Sequence, residues 1–142
     1  MDAIPYREEV AKYVEALRKK LRPKLVVLFG SAAKGSFGVG SDVDILTVSD
    51  MLPKNFQERS KLLFLLNDTF APIEPIGYTS REFKEMVLKG HPTALEAIIN
   101  GFTLHEEKEY GEEIRTLFEK VAATVKKEEF GWIKTAHESV EK

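Results

Sequence analysis

Two short strand-like runs, Leu25 to Phe29 and Asp42 to Val48, constrain the chain more than any other feature in it. Leu25-Val26-Val27-Leu28-Phe29 shows no polar alternation, is rich in β-branched residues and stops at Gly30, which reads as a strand covered on both faces. Helical patterns flank the runs: Tyr6, Val10, Tyr13, Val14, Leu17 and Leu21 recur at spacings of one buried helical face. Strands interleaved with helices give an α/β class.

The remaining elements follow from local signals. Pro5 at a first turn and Arg22-Pro23 after the last turn predict a helix from Pro5 to Leu21. Ser31 to Lys34 begins a short helix, and Gly35 to Gly40 is a flexible turn. Pro53 to Phe70 reads as a helix with apolar positions Phe56, Leu62, Leu63, Leu65 and Leu66, its start signalled by Ser49-Asp50 and Pro53. Ala71 to Tyr78 is a third, shorter strand, and Pro72 and Pro75 place it at a sheet edge or on a bulge. Thr79-Ser80-Arg81-Glu82 is a capping signature for a helix to about Leu88, ended by Gly90. Pro92 to Asn100 gives a further helix and Phe102-Thr103-Leu104 a fourth strand. From Glu106 onward the chain is mostly helical, with Tyr110, Ile114, Leu117, Val121 and Val125 on one face. Phe130, Trp132 and Ile133, in the charged segment Val125 to Lys142, are expected to pack on the core, the alternative being a partner surface.

A length of 142 residues suits one domain, 1–142, with a core over about 24–105. The longest apolar runs, such as Leu62 to Leu66, are far too short to span a bilayer, and Met1-Asp2-Ala3 opens no signal peptide, so cytoplasmic residence is expected. The chain has no cysteine, which excludes disulfides and thiolate metal sites. His91, His105 and His137 are scattered and show no zinc-binding spacing, so each reads as an ordinary surface or capping residue. Lys and Arg number 21 against 23 Asp and Glu; a protein that follows a nucleic-acid backbone carries a basic stripe, so long DNA or RNA is not expected as the main ligand.

The chemistry concentrates from the end of the first run to the start of the second. Along a strand, residues i and i+2 share a face, so the carboxylates of Asp42 and Asp44 project together and repel unless a cation joins them. Paired oxygen ligands suit Mg²⁺, which fills its other positions with water and substrate phosphate. Gly30-Ser31, at a strand end and a helix start, presents backbone N–H groups and a hydroxyl of the kind that bind phosphate oxygens. This is not a Walker A loop, because Lys34 precedes Gly35 and Ser36 follows it. Gly38-Val39-Gly40 is no dinucleotide fingerprint either, since no helix pattern follows it.

Taken together, Gly30, Ser31, Lys34, Gly35, Ser41, Asp42 and Asp44 match the pattern G-S-x-x-[RK]-G-x(5)-S-D-x-D between two apolar strands. This resembles the DNA polymerase beta nucleotidyltransferase superfamily, and within it the minimal nucleotidyltransferases of bacteria and archaea. The likeness is strongest from Leu25 to Val48 and continues more weakly to about His105. It implies a mixed sheet of about four strands flanked by helices. It also implies that Gly30 and Ser31 hold the β- and γ-phosphates of an NTP, with Lys34, Gly35 and Ser41 in the same nucleotide-binding motif. Asp42 and Asp44 would ligate two Mg²⁺ ions, with Mn²⁺ as a substitute.

The superfamily takes a third carboxylate from a later strand, more often Asp. Glu74 falls where that residue is expected and is the acidic residue of the third strand; its other reading is an exposed edge-strand side chain. Lys34 likewise has two readings, a phosphate-neutralising charge or a solvated loop lysine. The implied reaction is transfer of NMP, above all AMP from ATP, to a hydroxyl of a protein or small molecule. Relatives of this kind often stand beside a HEPN-domain partner as the antitoxin of a toxin–antitoxin pair, so a HEPN-domain protein or self-association is the expected partnership. The alternative is a module that keeps the nucleotide site and acts by masking a partner.

Overall fold

The computed structural model describes residues 4–34 and 42–134. Along the chain run α1 (Arg7–Leu21), β1 (Leu25–Phe29), α2 (Ser31–Lys34), β2 (Val43–Val48), α3 (Phe56–Leu65), β3 (Ile73–Tyr78), α4 (Ser80–Leu88), α5 (Pro92–Asn100), β4 (Phe102–Glu106) and α6 (Lys108–Lys134). The four strands form one sheet in the order β3-β2-β1-β4. β1 pairs antiparallel with β2 and β4, whereas β3 joins β2 in parallel through the α3 crossover, so the sheet is mixed as expected.

The unbroken apolar run of β1 and the apolar residues of β2 are explained by a core on each face. Val26 and Leu28 of β1, with Val43 and Ile45 of β2, meet Val10, Tyr13, Leu17 and Leu21 of α1 and Leu63 of α3. The alternate residues Leu25, Val27, Leu46 and Val48 meet Phe83 and Val87 of α4, Ala94 and Ala97 of α5, and Tyr110 and Ile114 of α6. Strand alternation therefore divides the apolar side chains of β1 and β2 between two helical layers.

β3 is an edge strand, as its prolines imply, although at six residues it is as long as β2. The carbonyls of Pro72 and Tyr78 accept N–H bonds from Val43 and Ser49, so by alternation Pro75 turns its missing N–H outward. The neighbouring outward carbonyl, that of Gly77, accepts from Arg59 of α3 at 3.2 Å. The edge is thus closed to further strands.

Several boundaries differ from those the sequence signals. α1 starts at Arg7 instead of Pro5, because Tyr6 adopts a left-handed conformation (φ 56°) and packs its ring edge-on against Phe70. β2 starts at Val43, with Asp42 just outside it. α3 is much shorter than Pro53 to Phe70. Asn55, not Ser49-Asp50, caps it by accepting the Glu58 N–H, and a turn in which Asn67 accepts from the N–H and hydroxyl of Thr69 redirects the chain before β3. Phe56 and Leu65, expected on its buried face, are exposed. β4 extends two residues past Leu104 by pairing with β1, and this delays α6 to Lys108. The 36–40 turn, His137 and the side chains of Val125, Phe130, Trp132 and Ile133 lie outside what is described.

Candidate active site

At the carboxyl end of β1 the chain turns at Gly30, whose φ of 75° is a conformation that side chains with a Cβ rarely adopt. A Cβ there would also collide with the carboxylate of Asp44. Glycine therefore serves the turn and the approach of Asp44 to the β1 backbone at once. Ser31 follows as the first residue of α2, half-buried, and the N–H of Ala33 closes the turn onto the Gly30 carbonyl at 3.1 Å.

Asp44 occupies the middle of a row across three strands. Antiparallel pairing sets Phe29 opposite it, and parallel pairing sets Glu74 on its other side. Asp42 lies two residues earlier on the same face, next to the strand start. Asp42, Asp44 and Glu74, predicted from three separate positions, are thereby gathered at one end of the sheet, on the face that carries α4, α5 and α6.

The electrostatics show how crowded they are. Partial burial raises the Asp44 carboxyl above its ordinary pKa, a hydrogen bond with Glu74 opposes that rise, and the charge of Asp42 adds to it. Glu74 is also raised, by desolvation and then by the charges of Asp44 and Asp42, and it lies within hydrogen-bonding reach of both. Repulsion between like charges penalises the fully ionised set, which is the situation a bound cation relieves. The donors are all carboxylate oxygens and fit a hard divalent ion. Among the described residues no three Asp, Glu or His side chains enclose a point by themselves, so an ion here must complete its shell with other oxygen ligands, as Mg²⁺ does with water and phosphate.

The side chain of Lys34, and Gly35 and Ser41 entirely, fall outside the described residues. The described histidines are structural: His91 caps α5 by accepting the Thr93 N–H at 3.1 Å, and the His105 Nε2 lies 3.2 Å from the Pro23 carbonyl. Phe29 was not legible as a neighbour of the carboxylates, because only strand register reveals it. Among the described residues no helix is long and apolar enough to cross a membrane.

A family model for the nucleotidyltransferase domain matches residues 10–131. The chain belongs to the nucleotidyltransferase domain family. No curated protein matches it. Among solved structures, this nucleotidyltransferase is similar to a toxin–antitoxin chain crystallised with AMP-PNP, at 16% identity over 92% of this chain and 98% of that one, TM-score 0.53. It is also similar to a chain of a tri-AMPylated Shewanella oneidensis HEPN toxin in complex with MNT antitoxin, at 15% identity over 92% and 97%, TM-score 0.52. A chain of a mutant MntA–HpeT toxin–antitoxin is similar at 16% identity over 88% and 95%, TM-score 0.52. At such identities the likeness establishes the shared fold.

Proposed function

We propose that this nucleotidyltransferase moves AMP from ATP onto a hydroxyl of a partner protein, a HEPN-domain protein in the first instance, as a single cytoplasmic domain of residues 1–142. The observation that carries this reading is the Asp44–Glu74 register, which draws a third carboxylate to an aspartate pair beside the Gly30 turn. The AMP-PNP and AMPylated-toxin structures among those with this fold support the choice of ATP and of partner.

In this reading the Gly30–Ser31 turn binds the β- and γ-phosphates, with Lys34 neutralising their charge and Gly35 and Ser41 shaping the loop. Asp42, Asp44 and Glu74 would hold two Mg²⁺ ions, which when bound neutralise phosphate charge and acidify the attacking hydroxyl. The strand order β3-β2-β1-β4, with Asp44 on β2 between the Gly30 turn after β1 and Glu74 on β3, supports this arrangement. In-line displacement puts nucleophile and leaving group on opposite sides of the α-phosphorus, so with pyrophosphate on the β1 side the acceptor enters from the β3 side. The acceptor oxygen bonds to the α-phosphorus, the bond from that phosphorus to the bridging oxygen breaks, and Glu74 receives the hydroxyl proton.

The test is incubation with α-labelled and, separately, γ-labelled ATP, Mg²⁺ or Mn²⁺, and the HEPN-domain partner. Label on the partner from α-labelled ATP alone is the expected result. Tight complex formation with no label from either ATP would replace this reading with the masking module.

A further inference from the structure

The row of side chains that crosses the three strands at the site begins with one that carries no charge. β1 and β2 pair antiparallel with Phe29 directly opposite Asp44, and β2 and β3 pair in parallel with Asp44 beside Glu74, so a ring and two carboxylates stand abreast. Opposed residues of an antiparallel pair hold their Cβ atoms about 4.5–5.5 Å apart, which brings the Phe29 ring within reach of the Asp44 side chain. Phe29 is only half-buried at the end of its strand, yet it packs against the core of α4, α5 and α6.

The other flank of Phe29 is closed. Val27, two residues earlier on the same face, is where α5 comes down on the sheet: a Cβ on Gly101 would collide with the Val27 side chain and the Ala97 carbonyl. β4 then begins at Phe102 opposite Leu28, so the end of α5 flanks Phe29 on the side away from Asp44.

The surroundings of Asp44 are unequal. Glu74 stands on its β3 side within hydrogen-bonding reach, Asp42 precedes it on the same face, and the buried Leu46 closes the inward direction. When ionised, both neighbouring carboxylates repel it, and movement towards β1 is the direction that relieves the repulsion. On that side it meets Gly30, where a Cβ would collide with the carboxylate, and the Phe29 ring. Gly30 admits the carboxylate, and Phe29 stops it.

We propose that Phe29 is a positioning residue for Asp44: its ring fills the space on the β1 side and holds the carboxylate between the Gly30 turn and Glu74. The inference rests on the transfer reading above, in which an ion held by Asp44 must also face Glu74 and the phosphates. Without the ring the carboxylate retreats from Glu74, and an ion loses the joint grip of the two.

The experiment compares four variants with the wild type. Phe29→Ala and the strand-favouring Phe29→Val remove the ring, so that a folded ring-less protein is in hand even where alanine unfolds the chain. Phe29→Tyr keeps the ring, and Leu117→Ala truncates a partly buried side chain of the same core on α6. Mn²⁺ alone is titrated into each protein and followed by the electron paramagnetic resonance of the free ion, beside a thermal melt. Transfer from α-labelled ATP to the HEPN-domain partner is measured at saturating Mg²⁺. The expected result is Mn²⁺ affinity about tenfold weaker in both ring-less variants and within about twofold of the wild type in Phe29→Tyr and Leu117→Ala. In the ring-less variants kcat falls by a similar factor, with little change in KM for ATP.

Unchanged Mn²⁺ affinity in the ring-less variants overturns the positioning role and leaves the transfer reading standing. A loss as large in Leu117→Ala or in Phe29→Tyr overturns it as well, because the effect then follows core stability or residue identity instead of the ring. A wild type that binds Mn²⁺ but transfers no label overturns the transfer reading alone, and the Mn²⁺ titrations still decide the role of Phe29. A wild type that binds no Mn²⁺ overturns both.

Discussion

At the scale of single residues, Gly30 carries two constraints that no other amino acid meets together. Its left-handed backbone costs an alanine about 1–2 kcal/mol, and the added Cβ also displaces the Asp44 carboxylate. Gly30→Ala is therefore expected to lower stability in urea unfolding by about that amount and to abolish AMP transfer, a loss far larger than the destabilisation explains. Full transfer at reduced stability would show that Asp44 can move without consequence. Glu74→Gln should act in the opposite sense on stability. It removes one charge from a mutually repelling group, so the metal-free melting temperature rises while transfer is lost; a fall in that temperature would contradict the repulsion. The Asp42–Asp44 pairing was legible in the sequence because it needs only the two-residue period of a strand. Glu74 was placed by resemblance, and its contact with Asp44 depends on the register of two strands some thirty residues apart, which local pattern does not encode.

At the scale of elements, the joint between α3, β3 and α4 shows what local signals capture and what they omit. The capping box of α4 was readable from Thr79 and Glu82, and both of its bonds form, Thr79 Oγ accepting the Glu82 N–H and Glu82 accepting the Thr79 N–H. The bounds of α3 were not readable. They follow from the Asn55 cap and the Asn67–Thr69 turn, and the helix's facing follows from Arg59, buried where the pattern favoured Phe56 and Leu65 for the core; a charge paired across three elements leaves no periodic trace. Burial pushes the Glu82 carboxyl up, but the Thr79 N–H and the Arg59 guanidinium outweigh it and hold the carboxyl below its ordinary value of 4.5. A carboxyl depressed in the folded state adds stability in full above its unfolded value and loses it as pH falls through the folded one. Glu82→Gln should therefore be less stable than the wild type near neutrality, and the gap should close as the pH drops well below 4.5. Melting curves across that range decide it, and a gap independent of pH would assign the stabilisation to packing instead.

At the scale of the whole molecule, the two cores lie along the length of the sheet and the carboxylates at one end of it. Strand alternation, the buried runs and the helical spacings made this layered α/β plan legible. The placement of the site relative to possible partner surfaces was not, because it follows from the strand order. Asp42 is exposed beside the start of β2 and Asp44 is only half-buried, so the fold does not need their charges, which repel each other and Glu74. The double change Asp42→Asn and Asp44→Asn should keep the cooperative unfolding transition, with a melting temperature equal to or above that of the metal-free wild type, and still form a complex with a HEPN-domain partner in size-exclusion chromatography. It should transfer no AMP. If transfer is how the partner is neutralised, this folded, complex-forming variant fails to silence the partner. If masking suffices, it silences the partner as well as the wild type does. The two readings share a fold and a complex and part only at the carboxylates, which is why a variant that spares both cores discriminates between them.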